Sequence, residues 1–391
     1  KAAQIIFEEG IGIPILLGRK DIILELMKEI DFDADIEILD PKNDDQNHKL
    51  KEYAKIYWSQ RQRKGVTLYA SEKLMRERNY FASMMVNVGD ADAMISGYSR
   101  AYPIVIKPVL ETIGKFDGVN KIATTNIMLT NRGPLFISDT SININPTAKE
   151  LANIAQMTNY TMKMFGIKPV IAMISYANFG SSKSPEAIKV REAVSYLHKI
   201  SPETIVDGEL QTDFALNSSL LKKTFPFSKL AGKKVNALIF PNLDSANSNY
   251  KLLKELNNIE TIGPIMLGMR KAVHILQLGA SVEEIVNIAA VAVVDARQKE
   301  KIKLLKEEVD ILSLSATPIP RSLNFALAEL KDFSIIATAP SNRLAVKTFV
   351  YKYNTNLINE AIQRELLRSG QTYYLCNDLR LVHDRKVRIE D

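Results

Sequence analysis

The sequence predicts an α/β fold, with a mostly parallel sheet covered by helices on both faces. Three observations carry the expectation. Short β-branched runs alternate with amphipathic stretches from residue 1 to about 300. Each run ends in small or polar residues, as strands do where they feed loops. The composition, 46% hydrophobic and 25% charged over 391 residues, suits a globular chain of two or three domains.

In chain order, the first strand is expected at 13–17, apolar and bounded by Gly12 and Gly18. Helices follow at 21–30 and 67–86, the second carrying Tyr80-Phe81 and Met84-Met85. Strands at 93–96 and 135–138 come next, then a helix at 146–164 opened by Asn145-Pro146, because proline is tolerated in a first helical turn. A strand at 170–175, a helix at 185–200 opened by Ser184-Pro185, strands at 205–206 and 237–240, and a helix at 247–256 complete the first segment. Around residue 300 the character changes to the alternating charges of Arg297 to Glu308, a solvated helix face or connector, and a domain boundary is placed there. Beyond it the pattern gives a strand running into the proline turn of 311–321, strands at 333–338 and 372–376, and a helix at 357–368 closed by Gly370; this segment reads as incomplete.

Composition also excludes classes. No apolar stretch reaches the roughly 20 residues of a bilayer span, and Lys1 opens no signal-peptide pattern, so a cytoplasmic protein without membrane contact is expected. The single cysteine, Cys376, permits no internal disulfide, and His48, His198, His274 and His383 are scattered, so no structural metal is implied. A net charge of +6 fits weak attraction to phosphates of any kind.

A parallel sheet presents ligands to the loops after its strands. Five such loops are polar: Gly89-Asp90-Ala91-Asp92, Ser138-Asp139-Thr140, Asn178-Phe179-Gly180-Ser181-Ser182, Asp207-Gly208-Glu209 and Pro241-Asn242-Leu243-Asp244. Singly, each reads as a cap or turn; together they can build a cleft. No dinucleotide fingerprint exists, since Gly10-Ile11-Gly12 is followed by Ile15 at the third glycine position, and no phosphate loop of the Walker type, His-Glu-x-x-His or Gly-x-Ser-x-Gly is present. What remains is anion binding by basic side chains. Arg61, Arg100, Lys107 and Arg270-Lys271 lie beside the expected cleft, whereas Arg63 and Lys64 read as solvated.

At this point the residues become recognisable. Gly89-Asp-Ala-Asp-Ala-Met-Ile-Ser-Gly97, Ile137-Ser-Asp-Thr140, Asn145-Pro-Thr-Ala148, Asp207-Gly-Glu-Leu-Gln211, Ile239-Phe-Pro-Asn-Leu-Asp-Ser-Ala-Asn247 and Gly279-Ala-Ser-Val-Glu-Glu-Ile-Val-Asn287 resemble, in order, the phosphate acetyl/butyryltransferase family. Gly97-Tyr98-Ser99-Arg100-Ala101-Tyr102-Pro103 and Met269-Arg-Lys-Ala-Val-His-Ile-Leu-Gln277 look closer to the phosphotransacetylase-like carboxyl-terminal domain of the large NADP-dependent malic enzymes. The resemblance implies a two-lobed phosphotransacetylase-like fold, lobe one being 1–115 plus 264–298 and lobe two 116–263, with acetyl-CoA or coenzyme A as ligand in the cleft and no required cofactor. It implies a homo-oligomer as well, and a malic domain missing from this chain.

Family roles carry over unevenly. Arg61 keeps the guanidinium of one family arginine, and Lys107 stands where the acetyltransferases have another. Gln277 and Leu278 replace a family Ser-Arg pair, and Glu284 aligns with the proposed aspartate base, one methylene longer. Ser181, Ser182 and Arg270 complete the expected ligand-binding set. Removal of a charge-stabilising donor costs about a hundredfold or more in such reactions, so the expectation is a thioester-binding regulatory domain. A working phosphate acetyltransferase is the alternative.

Residues 299–391 are similar to the helicase region of the bacterial transcription-repair coupling factor. The residues are Val309-Asp-Ile-Leu-Ser-Leu-Ser-Ala-Thr-Pro-Ile-Pro-Arg321, Asp332-Phe-Ser-Ile-Ile-Ala-Thr338 and Gly370-Gln-Thr-Tyr-Tyr-Leu375. Ser315-Ala316-Thr317 matches the motif that couples nucleotide state to DNA movement, but the phosphate loop and Asp-Glu box have no counterpart here. The segment is therefore expected to be a partial fragment without motor function, and nucleic acid is not an expected partner.

Overall fold

The computed structural model describes residues 1–43, 47–257, 259–307 and 355–367. Two units are distinguished, Lys1–Leu312 and Ser313–Asp391. In the first, the elements run α1 (Ala2–Glu8), β1 (Leu16–Leu17), α2 (Lys20–Glu29), β2 (Ile38–Leu39), α3 (Asn47–Arg61), α4 (Leu68–Met75), α5 (Arg78–Val88), β3 (Ala93–Ser96), α6 (Tyr102–Thr112), β4 (Ala123–Thr130), β5 (Gly133–Ser138), α7 (Ala148–Met164), β6 (Ile171–Ile174), α8 (Pro185–Ile200), β7 (Val206–Leu210), α9 (Thr212–Leu216), α10 (Ser218–Thr224), β8 (Ala237–Ile239), α11 (Leu243–Asn257), β9 (Thr261–Leu267), β10 (Ala272–Ile275) and α12 (Val282–Glu307). The second unit contributes α13 (Thr355–Leu366), where Arg364 pairs with Glu360 one turn away at 2.6 Å. Ser315-Ala316-Thr317 and the other helicase-like motifs lie outside the described residues.

The main sheet has the order β7-β6-β8-β5-β4-β9, parallel from β7 to β5 and antiparallel at β5-β4 and β4-β9. Successive side chains point to opposite faces, so one strand feeds two cores. Ile171, Met173, Phe136, Ala237 and Ile239 pack with α7, α8 and the α12 residues Ile288 and Val291. Their neighbours Ala172, Ile174, Leu135, Ile137 and Leu238 pack against Ala215, Leu221, Ala246 and Tyr250 of α9 to α11. Burial on both faces is why β5, β6 and β8 read as unbroken apolar runs. A second, two-stranded parallel pair, β3 with β10, is packed by α5 and α6.

Local chemistry sets the helix starts, and several differ from the sequence reading. Asn145-Pro146 precedes the helix rather than opening it: Thr147 accepts from the Glu150 amide and Glu150 accepts from the Thr147 amide, a reciprocal cap that starts α7 at Ala148. The expected helix at 67–86 is two, because Glu77 caps α5 through the amides of Asn79 and Tyr80. Four strands escaped the sequence reading: β2, β4, β9 and β10. In β4 the buried residues include Thr124, Thr125 and Asn126, and in β9 Gly263-Pro264 sits on an edge strand, where a missing amide is tolerated. Asp207-Gly208-Glu209, expected as a loop, is the middle of β7. The charged run from Arg297 forms the last turns of α12. Among the described residues no helix is long and apolar enough to cross a membrane.

Candidate functional site

β3 and β10 run parallel and in register from Ala93 and Ala272 to Ser96 and Ile275, so their carboxyl ends open side by side. The approach beyond them demands glycine. Gly97 has φ +105°, and a Cβ there would lie 2.5 Å from the Leu276 carbonyl. The Leu276 amide donates to the Ser96 carbonyl at 2.7 Å and the Gly279 amide to that of Tyr98 at 3.3 Å, which fixes the loop carrying Gln277 and Leu278. Gln277 donates through Nε2 to the hydroxyl of Tyr250 on α11 at 2.5 Å, while Leu278 is 67% exposed.

The same loop starts α12. Ser281 Oγ accepts from the Glu284 amide at 3.1 Å, and Glu284 Oε2 accepts from the Ser281 amide at 2.8 Å. The other oxygen, Oε1, pairs with Lys254 Nζ at 2.9 Å, one turn of α11 beyond Tyr250. Burial pushes the Glu284 carboxyl up, but the Ser281 amide and Lys254 outweigh it and hold it below the usual carboxylate value. Glu284 is thus an ionised cap with both oxygens engaged.

A second cluster surrounds Arg61 at the end of α3. Its guanidinium donates to Glu111 Oε1 at 3.0 Å, and Glu111 Oε2 accepts from the hydroxyls of Tyr57 at 2.9 Å and Tyr80 at 2.5 Å. Both phenols are pushed up, first by burial and then by the hydrogen bond to Glu111, and so remain donors. For Glu111 burial raises the carboxyl, but the Tyr80 and Tyr57 hydroxyls, Arg61 and Lys107 together lower it below the ordinary value. Lys107 is exposed, one turn before Glu111 on α6.

The third cluster holds the loop after β6. Glu209, fully buried on β7, accepts from Arg191 at 2.7 and 3.1 Å and from the Gly180 amide at 2.7 Å. Arg191 also donates to the Ser182 carbonyl at 3.1 Å. Within that loop Ser181 Oγ accepts from the Asn178 amide at 3.0 Å and Ser182 Oγ bonds the Tyr176 hydroxyl at 2.9 Å. Both serine hydroxyls are therefore engaged in shaping the loop.

Among the described residues no hydrogen bond or ion pair joins one of these clusters to another. Arg270, expected beside the cleft, stands before the amino end of β10, at the opposite end of the strand from Gln277, and donates to Asn87 Oδ1 at 3.0 Å. One turn of strand order explains the difference: a residue ahead of a strand cannot share the loop that follows it.

The model of the phosphate acetyl/butaryl transferase family matches residues 1–293. The chain belongs to this family. An NADP-dependent malic enzyme of Haemophilus influenzae is 37% identical over 303 residues, covering 76% of this chain and 40% of that protein. A phosphate acetyltransferase of Clostridium acetobutylicum is 35% identical over 305 residues, covering 76% of this chain and 90% of that protein. The chain therefore spans about two fifths of the malic enzyme's length and nearly all of the acetyltransferase's. A phosphotransacetylase from Streptococcus pyogenes superposes with a TM-score of 0.69 at 34% identity, over 76% of this chain and 90% of that one. The EutD phosphotransacetylase from Staphylococcus aureus gives the same TM-score at 28% identity.

Two carboxylates that the sequence reading placed in cleft loops are buried anchors instead. Asp139 is buried and accepts from Thr124, Ser141 and Asn143, tying the loop after β5 to β4. Asp207 accepts from the Gly208 amide, Ser228 and the Lys229 amide, fixing the turn after α10. Both lie in motifs quoted for the resemblance, and a buried carboxylate in a short polar motif is a signal the sequence does carry. Glu111, Tyr57, Tyr80 and Tyr250 have no such motif; their partners are 27 to 54 residues away.

Proposed function

We propose that residues 1–293 form a coenzyme A thioester binding domain whose role is regulatory, with acetyl-CoA or a related thioester as ligand. The single observation that carries the reading is the state of the three groups that family acyl transfer would draw on. Gln277 is bound to Tyr250, Leu278 offers no charge, and Glu284 is an ionised cap held by Ser281 and Lys254. An acyl transfer between coenzyme A and acetyl phosphate needs a group to take the thiol proton and donors for the phosphate as it leaves. Neither Gln277 nor Leu278 can provide the hydroxyl and guanidinium found in the family, and a carboxylate engaged by an amide and an ammonium is a weak base.

The cationic surface that suits a phosphate-bearing ligand is kept in Arg61 and Lys107. The malic enzymes among the relatives are matched over about two fifths of their length, and a regulatory domain within a larger protein would act by binding a metabolite and shifting a conformational equilibrium. The second reading, a working phosphate acetyltransferase, is favoured by the coverage of nine tenths of the Clostridium enzyme and by the retained Arg61. Segment 299–391 plays no part in either reading; the family match ends at residue 293.

Thioester formation from coenzyme A and acetyl phosphate separates the two, run beside a Gln277→Ser, Leu278→Arg double variant. The regulatory reading expects no turnover by the unaltered chain together with saturable acetyl-CoA binding. Robust turnover by the unaltered chain overturns it in favour of the transferase.

A further inference from the structure

The Arg61 cluster holds more than a retained arginine needs. Glu111 reaches it from α6, three helices further along the chain, and that carboxylate is itself clamped by two hydroxyls from two other helices, Tyr57 of α3 and Tyr80 of α5. Tyr57 and Tyr80 are 1% and 6% exposed and stack edge to face with centroids 5.7 Å apart, so the hydroxyls come from a rigid base. Glu111 stays ionised, and both phenols stay protonated. One nitrogen of the guanidinium is directed by Glu111, whereas its Nε is buried with no partner. A planar fork with one edge fixed by a carboxylate presents its remaining N–H groups in one direction, as a point charge on a free stem cannot. Lys107, exposed one turn before Glu111, adds a second positive charge.

We propose that Glu111, clamped by Tyr57 and Tyr80, is a positioning residue that orients Arg61 toward a phosphate group of the coenzyme A ligand. This rests on the ligand reading above, and it makes Glu111 necessary for affinity although it has the same sign of charge as the ligand. Simple electrostatics predicts the opposite: neutralising a carboxylate beside an anion site ought to tighten binding.

The test is the coenzyme A dissociation constant, by calorimetry, for the full chain and for Arg61→Ala, Glu111→Gln, Tyr80→Phe and the Arg61→Ala, Glu111→Gln double variant, each with its thermal midpoint. Glu111→Gln is expected to weaken binding about 10-fold, the low end for a hydrogen bond to a charged group, because the pair is partly exposed. Tyr80→Phe keeps the ring and is expected to weaken it about 3-fold, which keeps the proposal testable if Glu111→Gln does not fold. The double variant is expected to bind no more weakly than Arg61→Ala alone, since Glu111 acts only through the guanidinium. Unchanged or tighter binding by Glu111→Gln, or additive losses in the double variant, overturns the assignment of Glu111 while leaving the ligand reading intact. Arg61→Ala with unchanged affinity overturns the use of Arg61 and the proposal with it, whereas no measurable coenzyme A binding by the unaltered chain overturns the ligand reading itself.

Discussion

Replacing Arg191 by methionine isolates the contribution of one buried charge pair to the loop that carries Ser181 and Ser182. Methionine keeps the hydrophobic stem and removes the guanidinium, so Glu209, with none of its side chain exposed, loses two of its three side-chain hydrogen bonds and retains that from the Gly180 amide. Removing one partner of a buried pair costs about 3–5 kcal/mol, because the other charge is left uncompensated. Arg191 is 41% exposed, so water can reach the vacated position, and the discounted figure is about 2 kcal/mol. At about 2 °C per kcal/mol for a unit of this size, the thermal midpoint at pH 7 falls by about 4 °C. The pH dependence has a definite sign. Burial raises the Glu209 carboxyl, but Arg191 and the backbone amides outweigh that and lower it below its ordinary 4.5. The pair's contribution is therefore fully present above 4.5 and disappears as the pH falls through the lower native value. Thermal unfolding of the native chain and Arg191→Met, recorded from pH 7 downward, should show two midpoints that converge below pH 4.5. A deficit of the same size at every pH, or none at pH 7, refutes the reasoning.

Two further outcomes follow from single contacts. Glu284→Ala removes the reciprocal cap of α12 and the Lys254 pair, and should lower stability by about 1 kcal/mol in thermal unfolding, whereas Glu284→Gln, which can still accept from the Ser281 amide, should lose less. His274 is fully buried on β10, where its Nδ1 accepts from the Met266 amide at 3.2 Å; burial lowers it from 6.5 to about 4, against the pull of Asp295 at 3.6 Å and with Lys299 close by. The unfolded chain takes up that proton below pH 6.5 and the native chain does not, so stability should fall between pH 6.5 and 4 by up to about 3 kcal/mol. His274→Asn, which keeps an acceptor for the amide, should flatten that limb of the stability profile, and an unchanged limb would contradict the assignment.

Helix and strand formation was legible wherever one rule dominated. Strands β5, β6 and β8 were visible because their apolar runs are buried on both faces, β3 from the short apolar run that ends at Ser96 and Gly97, and α8 starts at Pro185 behind its Ser184 cap as the sequence indicates. Strands β4 and β9 were not, because Thr124, Thr125 and Asn126 in one and Gly263-Pro264 in the other interrupt their apolar runs, although Ile127, Ile265 and Leu267 lie in the core. The buried hydroxyl of Thr124 is satisfied by Asp139, 15 residues away, and Pro264 is tolerated only because β9 lies at an edge. Likewise Asp207-Gly-Glu looks like a polar loop until the partners of its carboxylates, Ser228 and Arg191, are brought beside it.

The candidate site divides in the same way. Which chemical groups are present was set by the residues alone: an amide at Gln277 and an uncharged side chain at Leu278, a guanidinium at Arg61, glycine at position 97. Their employment depended on contacts between distant segments. Ser281 and Glu284 are three residues apart and their cap could be read from the sequence, but Lys254 completes it from 30 residues away. Glu111 meets Arg61 across 50 residues, and Gln277 meets Tyr250 across 27. A sequence records composition and local spacing, and so determines caps, turns and the identity of a charge; a carboxylate's role as base, cap or counter-ion is set by which donors the fold carries to within 3 Å of it.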